Sequence, residues 1–285
     1  MTAEPRSPLE QKMALITSKS NPLAKEVRKL HARKERDESR LAYVEGLRPV
    51  LSAIEAGAPI VKLIVAPALL SSSKVNDVLE RKQDLRERLV RVSEEVFRSF
   101  ALREGPQGVA ALVKQGWVPL ETIAPRQNDL WLALDRVQDP GNLGTCLRTL
   151  DAAGGQGLIL IGPGADPYDG TAIRAAMGAT FGLKLCRASA GQFLSWKKAL
   201  ALRLVGTSDS ASIDYRLADY GGPLVLLMGS EREGLSAELL AACDELVRIP
   251  MSGREDSLNL AVATGVMLYR IYDRRSGGTG GDREP

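Results

Sequence analysis

Leu130-Trp-Leu-Ala-Leu-Asp-Arg-Val-Gln-Asp-Pro-Gly-Asn-Leu-Gly-Thr-Cys-Leu-Arg148 packs a strand, a polar turn and the start of a helix into one short stretch. The apolar run Leu130–Leu134 is too short for a helix and reads as a buried strand. Asp139-Pro140-Gly141 is turn chemistry, and the pattern from Asn142 to Ala153 reads as a helix. Working outward, the alternation repeats. Strands are expected at Leu158–Ile161, Lys184–Cys186, Leu202–Thr207, Leu224–Met228 and Leu246–Ile249. Helices are expected at Thr171–Phe181, Gln192–Ala199, Ser236–Ala242 and Ser257–Asp273. Continuous apolar strands joined by helices imply a parallel α/β sheet covered on both faces.

Upstream, shorter strands are expected at Leu41–Glu45, Ile60–Ala66, Leu89–Val92 and Gly108–Val113. Between them lie helices at Arg48–Ala56, Ser73–Gln83 and Glu94–Phe100, and one helix runs from Asn21-Pro22 to about Arg40. The organisation read from this is a small α/β domain over residues 13–113, a Gly- and Pro-containing linker over 114–128, a second α/β domain over 129–274 and a disordered tail over 275–285. Residues 1–12, polar and with two prolines, read as loose.

Composition prunes the chemistry. The 285 residues include 38 basic and 35 acidic side chains, so the net charge of +3 says little and its distribution says more. Cys146, Cys186 and Cys243 lie far apart without a C-x-x-C pair, which argues against a disulfide framework or a thiolate zinc site. The single histidine, His31, sits in a highly charged stretch, so His-based metal sites, triads and general bases have little to work with. The sequence has no signal pattern and no apolar run near the ~18 residues of a membrane span; a cytoplasmic protein without metal is expected.

Ligands of open parallel sheets bind at the carboxyl ends of the strands. The dinucleotide and P-loop glycine fingerprints are missing there. Three other loops carry polar groups instead: Asp139–Gly144 with Arg148 beyond it, Met228-Gly-Ser-Glu-Arg-Glu-Gly234, and Ile249-Pro-Met251 followed by Ser257-Leu-Asn259. Asp256 or Ser257 reads as the cap of the last helix, and Asn259 falls inside its first turn.

In these stretches, and in Arg174-Ala-Ala-Met-Gly-Ala179, the sequence resembles the SpoU (TrmH) branch of the SPOUT RNA methyltransferases over the whole C-terminal half. Ile16–Pro22 through Val44-Glu-Gly46 resembles the ribosomal-protein-like substrate domain of the family's rRNA members. Thr145 and Cys146 depart from the usual apolar residues at their positions. The resemblance implies a trefoil-knotted sheet, which no periodicity reveals, and a homodimer with active sites at the subunit interface. S-adenosylmethionine is the implied cofactor, with contacts at Thr207, Gly229, Ile249 and Leu258. The implied activity is methylation of a ribose 2′-hydroxyl, with 23S rRNA the expected substrate. A tRNA ribose methyltransferase and a non-catalytic RNA-binding protein of the same fold are the alternatives.

Methyl transfer from a sulfonium is an in-line displacement, so it needs alignment and a stabilised alkoxide rather than a metal. Arg148 suits that stabilising role better than the role of base, because a guanidinium rarely gives up its proton. Asn142 is expected to orient the ribose or Arg148, Glu231 to hold Arg148 or a site amide, and Ser257 and Asn259 to shape the pocket. For RNA, eight Lys and Arg against four Asp and Glu lie between Lys19 and Arg40. Lys25, Lys29, Arg33, Arg36 and Arg40 follow helical steps, predicting a basic stripe for phosphate contacts.

Overall fold

The computed structural model describes residues 14–70, 72–254 and 256–276. The expectations for residues 1–12 and for 277–285 lie outside the described residues. The described chain divides into two units, one of residues 14–115 with Tyr168–Phe181, the other of Gly116–Pro167 with residues 182–276. The sequence had assigned Tyr168–Phe181 to the C-terminal domain; this segment clusters with the first unit instead.

The first unit holds strands β1 (Leu15–Ile16), β2 (Leu41–Glu45), β3 (Ile60–Val65), β4 (Leu89–Val92) and β5 (Val109–Lys114) in the order β1-β4-β3-β5-β2. β1, β4 and β3 run parallel, while β5 is antiparallel to β3 and β2. Helices α1 (Pro22–Lys29), α2 (Arg33–Ser39), α3 (Leu47–Glu55), α4 (Lys74–Arg81), α5 (Gln83–Glu87) and α6 (Glu94–Arg98) accompany the sheet. One core cluster packs Leu23, Ala24 and Val27 of α1 with Tyr43, Ile64, Phe97, Phe100 and Leu112.

The helix expected to run unbroken to Arg40 is two helices. Leu30 caps α1 and is buried, α2 starts at Arg33, and Arg40 ends α2 in the left-handed region at φ 57. Arg36 turns inward and is only 4% exposed, donating to Leu30 O and His31 O at 3.0 and 2.8 Å. Its other end nitrogen reaches Asp169 Oδ2 at 3.4 Å. The single basic stripe therefore does not exist as expected: Arg36 is part of the packing, while Lys25, Lys29, Arg33 and Arg40 are exposed.

The second unit carries β6 (Leu130–Asp135), α7 (Pro140–Ala152) and β7 (Gly157–Ile161). The excursion that clusters with the first unit holds α8 (Gly170–Ala176) and leads into α9 (Ala179–Gly182). This was expected as one helix; Met177 at φ 54 and Gly178 at φ 110 break it. A Cβ at Gly178 would lie 2.3 Å from Ser52 Cβ, so the close approach needs glycine here. There follow β8 (Lys184–Ala188), α10 (Ala190–Ala199), β9 (Arg203–Thr207), β10 (Ile213–Asp214), β11 (Leu224–Met228), α11 (Ala237–Ala242), β12 (Glu245–Arg248) and α12 (Leu260–Ser276).

The sheet order is β10-β12-β9-β11-β6-β7-β8, parallel throughout. Two late strands are inserted between earlier ones, β11 between β9 and β6 and β12 between β9 and β10. Residues alternate across each strand. Trp131, Ala133, Ile159 and Leu227 pack with Phe193 and Trp196 of α10. α7 and α12 pack against each other, burying Leu143, Leu147 and Leu150 of one and Met267, Leu268 and Ile271 of the other.

The stretch 114–128, expected as a linker, is built into the structure. Lys114 ends β5, Leu120 and Ile123 join the second unit's core, and Trp196 Nε1 donates to Ile123 O at 2.9 Å. Arg275 and Ser276, expected in the tail, form the end of α12, where Arg275 donates to Asn128 O at 2.8 Å and Gly222 O at 2.7 Å.

Candidate active site

The strand order brings the carboxyl ends of β12, β9, β11 and β6 side by side. From β6 the chain turns into α7, where the Asp139 side chain accepts from Asn142 N at 2.6 Å and Pro140 fills the first turn. This cap, with proline where a missing N–H costs least, fixes the backbone of Asn142. From β11 the chain enters a narrow loop in which Ser230 and Gly234 exchange backbone hydrogen bonds of 3.0 and 3.1 Å. Gly229 has no room for a side chain, because a Cβ would meet Gly234 C at 2.2 Å and Leu235 N at 2.4 Å. The loop closes backbone on backbone, and Glu231 lies at its turn.

Three side chains from three loops then form a relay. Asn259 caps α12, its Oδ1 accepting from Ala261 N at 2.9 Å and Val262 N at 3.4 Å. That leaves its Nδ2 to donate to Asn142 Oδ1 at 3.0 Å. Asn142 Nδ2 in turn donates to Glu231 Oε1 at 3.1 Å, and Glu231 Oε2 accepts from Gln138 N at 3.5 Å. The cap removes the ambiguity of both amides, since each oxygen has an assigned donor and each nitrogen an assigned acceptor. The helix was expected to begin at Asp256 or Ser257 with Asn259 inside it. Its true start at Leu260 gives Asn259 a structural task as well as a place in the site.

The other expected residues fall around this relay. Arg148 is exposed, lies on α7 about 120° round the axis from Asn142, and makes no hydrogen bond or ion pair among the described residues. Glu231 therefore holds a site amide and not Arg148. Ser257 is exposed and makes no capping bond among the described residues. Thr207 ends β9, with its hydroxyl 3.4 Å from Met228 Sδ, while Gly229 and Ile249 directly follow β11 and β12. Met251 and Leu258 expose apolar side chains, at 40% and 37%. Main-chain groups at adjoining strand ends beside exposed apolar side chains fit a nucleoside-bearing cofactor, which needs both.

Sequence reading placed Asp139 in a polar strand-end loop but missed Asp135, Arg136 and Gln138, which no motif marks. A cleft of about 630 Å³ is lined by Arg136, Gln138, Asp139, Ser230, Glu231, Arg232 and Glu233. Burial pushes the Cys146 and Cys186 thiols up to about 12 and that of Cys243 to about 11, so none is a thiolate nucleophile at neutral pH. Among the described residues no group of three or more His, Cys, Asp and Glu is placed to hold a metal ion, and no helix is long and apolar enough to cross a membrane.

Comparison with known proteins agrees with this geometry. Residues 129–269 match the SpoU rRNA methylase family, and residues 21–111 match an MRM3-like substrate-binding domain. A Bacillus subtilis 23S rRNA (guanosine(2553)-2′-O)-methyltransferase is 30% identical over 91% of this chain and 99% of its own length. A Streptomyces viridochromogenes 23S rRNA (uridine(2479)-2′-O)-methyltransferase is 32% identical over 82% of this chain and 83% of its own length. Among solved structures, an AdoMet-bound rRNA methyltransferase from Sinorhizobium meliloti superposes with a TM-score of 0.84 at 40% identity, covering 92% of this chain and 98% of the other.

Proposed function

The chain belongs to the SpoU methylase family, with the α/β SPOUT fold and an N-terminal domain, and from that premise we propose that it methylates a ribose 2′-hydroxyl of RNA using S-adenosylmethionine. The observation that carries the reading is the Asn259–Asn142–Glu231 relay, satisfied within itself at the strand ends, with Arg148 further along α7 and without a bonded partner among the described residues.

S-adenosylmethionine supplies a methyl group on a sulfonium centre. Main-chain groups at Thr207, Gly229, Ile249 and Leu258 would hold it, next to the exposed apolar side chains of Met251 and Leu258. Asn142, its amide direction fixed, orients the ribose, and Ser257 bounds the pocket. Arg148 stabilises the alkoxide that develops as the 2′-hydroxyl attacks, a charge interaction of the kind that costs ~10²–10³ in rate when removed. The hydroxyl proton passes to an acceptor outside the guanidinium, such as a substrate phosphate.

23S rRNA is the substrate read from the near full-length relatives, whose names carry it. The exposed Lys25, Lys29, Arg33 and Arg40 suit RNA phosphates. A homodimer is the proposed assembly, with Val262, Tyr269 and Tyr272 of α12, exposed at 52%, 48% and 45%, as the surface a second copy would cover. The cytoplasm, where ribosomes are built, is the proposed location.

Arg148→Ala tests the reading. Methyl transfer to 23S rRNA fragments should fall at least about a hundredfold while calorimetry still detects S-adenosylmethionine binding. Near-normal turnover would refute the assignment.

A further inference from the structure

Beside the relay stands a second set of bonds that the reaction as described does not use. Asp135 ends β6 only 3% exposed, and its Oδ2 accepts from Ser236 N, at the far end of the loop that carries Glu231, at 3.0 Å. The next residue, Arg136, sits in the left-handed region at φ 52, where glycine is cheaper than any side chain. Its guanidinium Nε lies 3.2 Å from Asp135 Oδ1, and its Nη1 donates to Glu233 Oε2 at 2.7 Å, two residues beyond Glu231. The Arg136 pKa is raised, first by its hydrogen bond to Asp135 and then by that carboxylate's charge. Asp135 and Arg136 thus hold the loop at two points beyond Glu231, and Gln138, two residues on, supplies the backbone N–H that meets Glu231.

An exposed Arg–Glu pair such as Arg136–Glu233, with Glu233 at 70% exposure, adds little to stability by itself. A strained backbone kept for a pair of small worth needs another reason. We infer that Arg136, anchored by Asp135, is a positioning residue that fixes the Gly229–Gly234 loop so that Glu231 holds the Asn142 amide in register. Arg136 acts through Glu231 and touches no reacting atom. The inference rests on the reading that Glu231 and Asn142 serve the methyl transfer.

Arg136→Gly removes the guanidinium and relieves the backbone at once, and comparison with a Glu231→Ala background separates positioning from folding. The expected result is a folded protein with a somewhat lower melting temperature, since the buried Asp135 loses its cation while the backbone is relieved, an unchanged affinity for S-adenosylmethionine and a kcat per folded molecule down about tenfold, the scale of coupling within one network. In a Glu231→Ala background the same substitution should cost less than about twofold, because nothing is left to position. Glu233→Ala, which leaves the backbone and the Asp135 pair alone, carries the same test should the glycine variant fold poorly. Its expected loss is about threefold, again absent without Glu231. Unchanged kcat, or an equal loss in both backgrounds, overturns the positioning role. Arg148→Ala run alongside separates the failures: if it too keeps full turnover, the site assignment falls; if it does not, only the role of Arg136 does.

Discussion

Arg36 in the first unit and Arg148 in the second both lie on helices near the start of a compact unit, and their surroundings are opposite. Arg36 is 4% exposed and spends its donors on Leu30 O, His31 O and Asp169. At the start of α7 the amides satisfy one another, Asn142 accepting from Asn259 and donating to Glu231, while Arg148, further along the helix, is exposed to solvent. A cation whose donors are committed to carbonyls is part of the fold. A cation beside a network that is complete without it is available to a ligand, and it pays no exchange of partners when negative charge arrives.

The comparison breaks most sharply at Arg36. Arg36→Ala leaves two carbonyls without that donor and Asp169 without its cation. With Asp169 a third exposed, water recovers part of the loss, so a cost of about 2 kcal/mol is expected. The urea midpoint should fall accordingly, while turnover per folded molecule stays at the parent level. Lost turnover at unchanged stability would mean that Arg36 contacts RNA after all.

That contrast also marks what the sequence made legible. The parallel sheet was readable because strands such as Leu130–Asp135 and Leu224–Met228 are buried at every residue, leaving no alternation to misread. The relay members were readable as residue types at strand ends, since polar groups gather there for ligands. The break between α1 and α2 was not, because Leu30, His31 and Ala32 are all compatible with a helix. What ends α1 there is tertiary, the burial of Leu30 and the capture of its carbonyl by Arg36. The start of α12 was misread for a different reason. Asp256, Ser257 and Asn259 are comparable caps by propensity, and the cap that forms is the residue whose amide also meets Asn142. The excursion of Tyr168–Phe181 into the first unit depends on contacts such as Ser52 against Gly178, which no local pattern encodes.

Asn259 sharpens the comparison from the other side, because it belongs to both fold and site. Asn259→Asp keeps an equally good cap but removes the donor to Asn142. Stability should change by less than about 0.5 kcal/mol, whereas turnover should fall about tenfold as Asn142 loses one fixed end. Thermal melting and single-turnover methylation separate the two. Equal turnover would show that the relay is a packing feature with no hold on the chemistry.

The smallest effect is expected where the basic segment faces solvent. With Arg36 turned inward, Lys25 and Lys29 on α1 are exposed cations that make no ion pair among the described residues. Each phosphate they meet releases a counterion, which sets how steeply affinity falls with salt rather than which sequence is chosen. Replacing both by alanine should lower the slope of log K against log[salt] by about 1.5 and weaken binding modestly at physiological salt. Melting temperature and S-adenosylmethionine affinity should not move. An unchanged slope would leave these lysines as a solvated helix face and place the RNA contacts elsewhere; a loss of turnover at saturating RNA would instead tie α1 to the reaction itself.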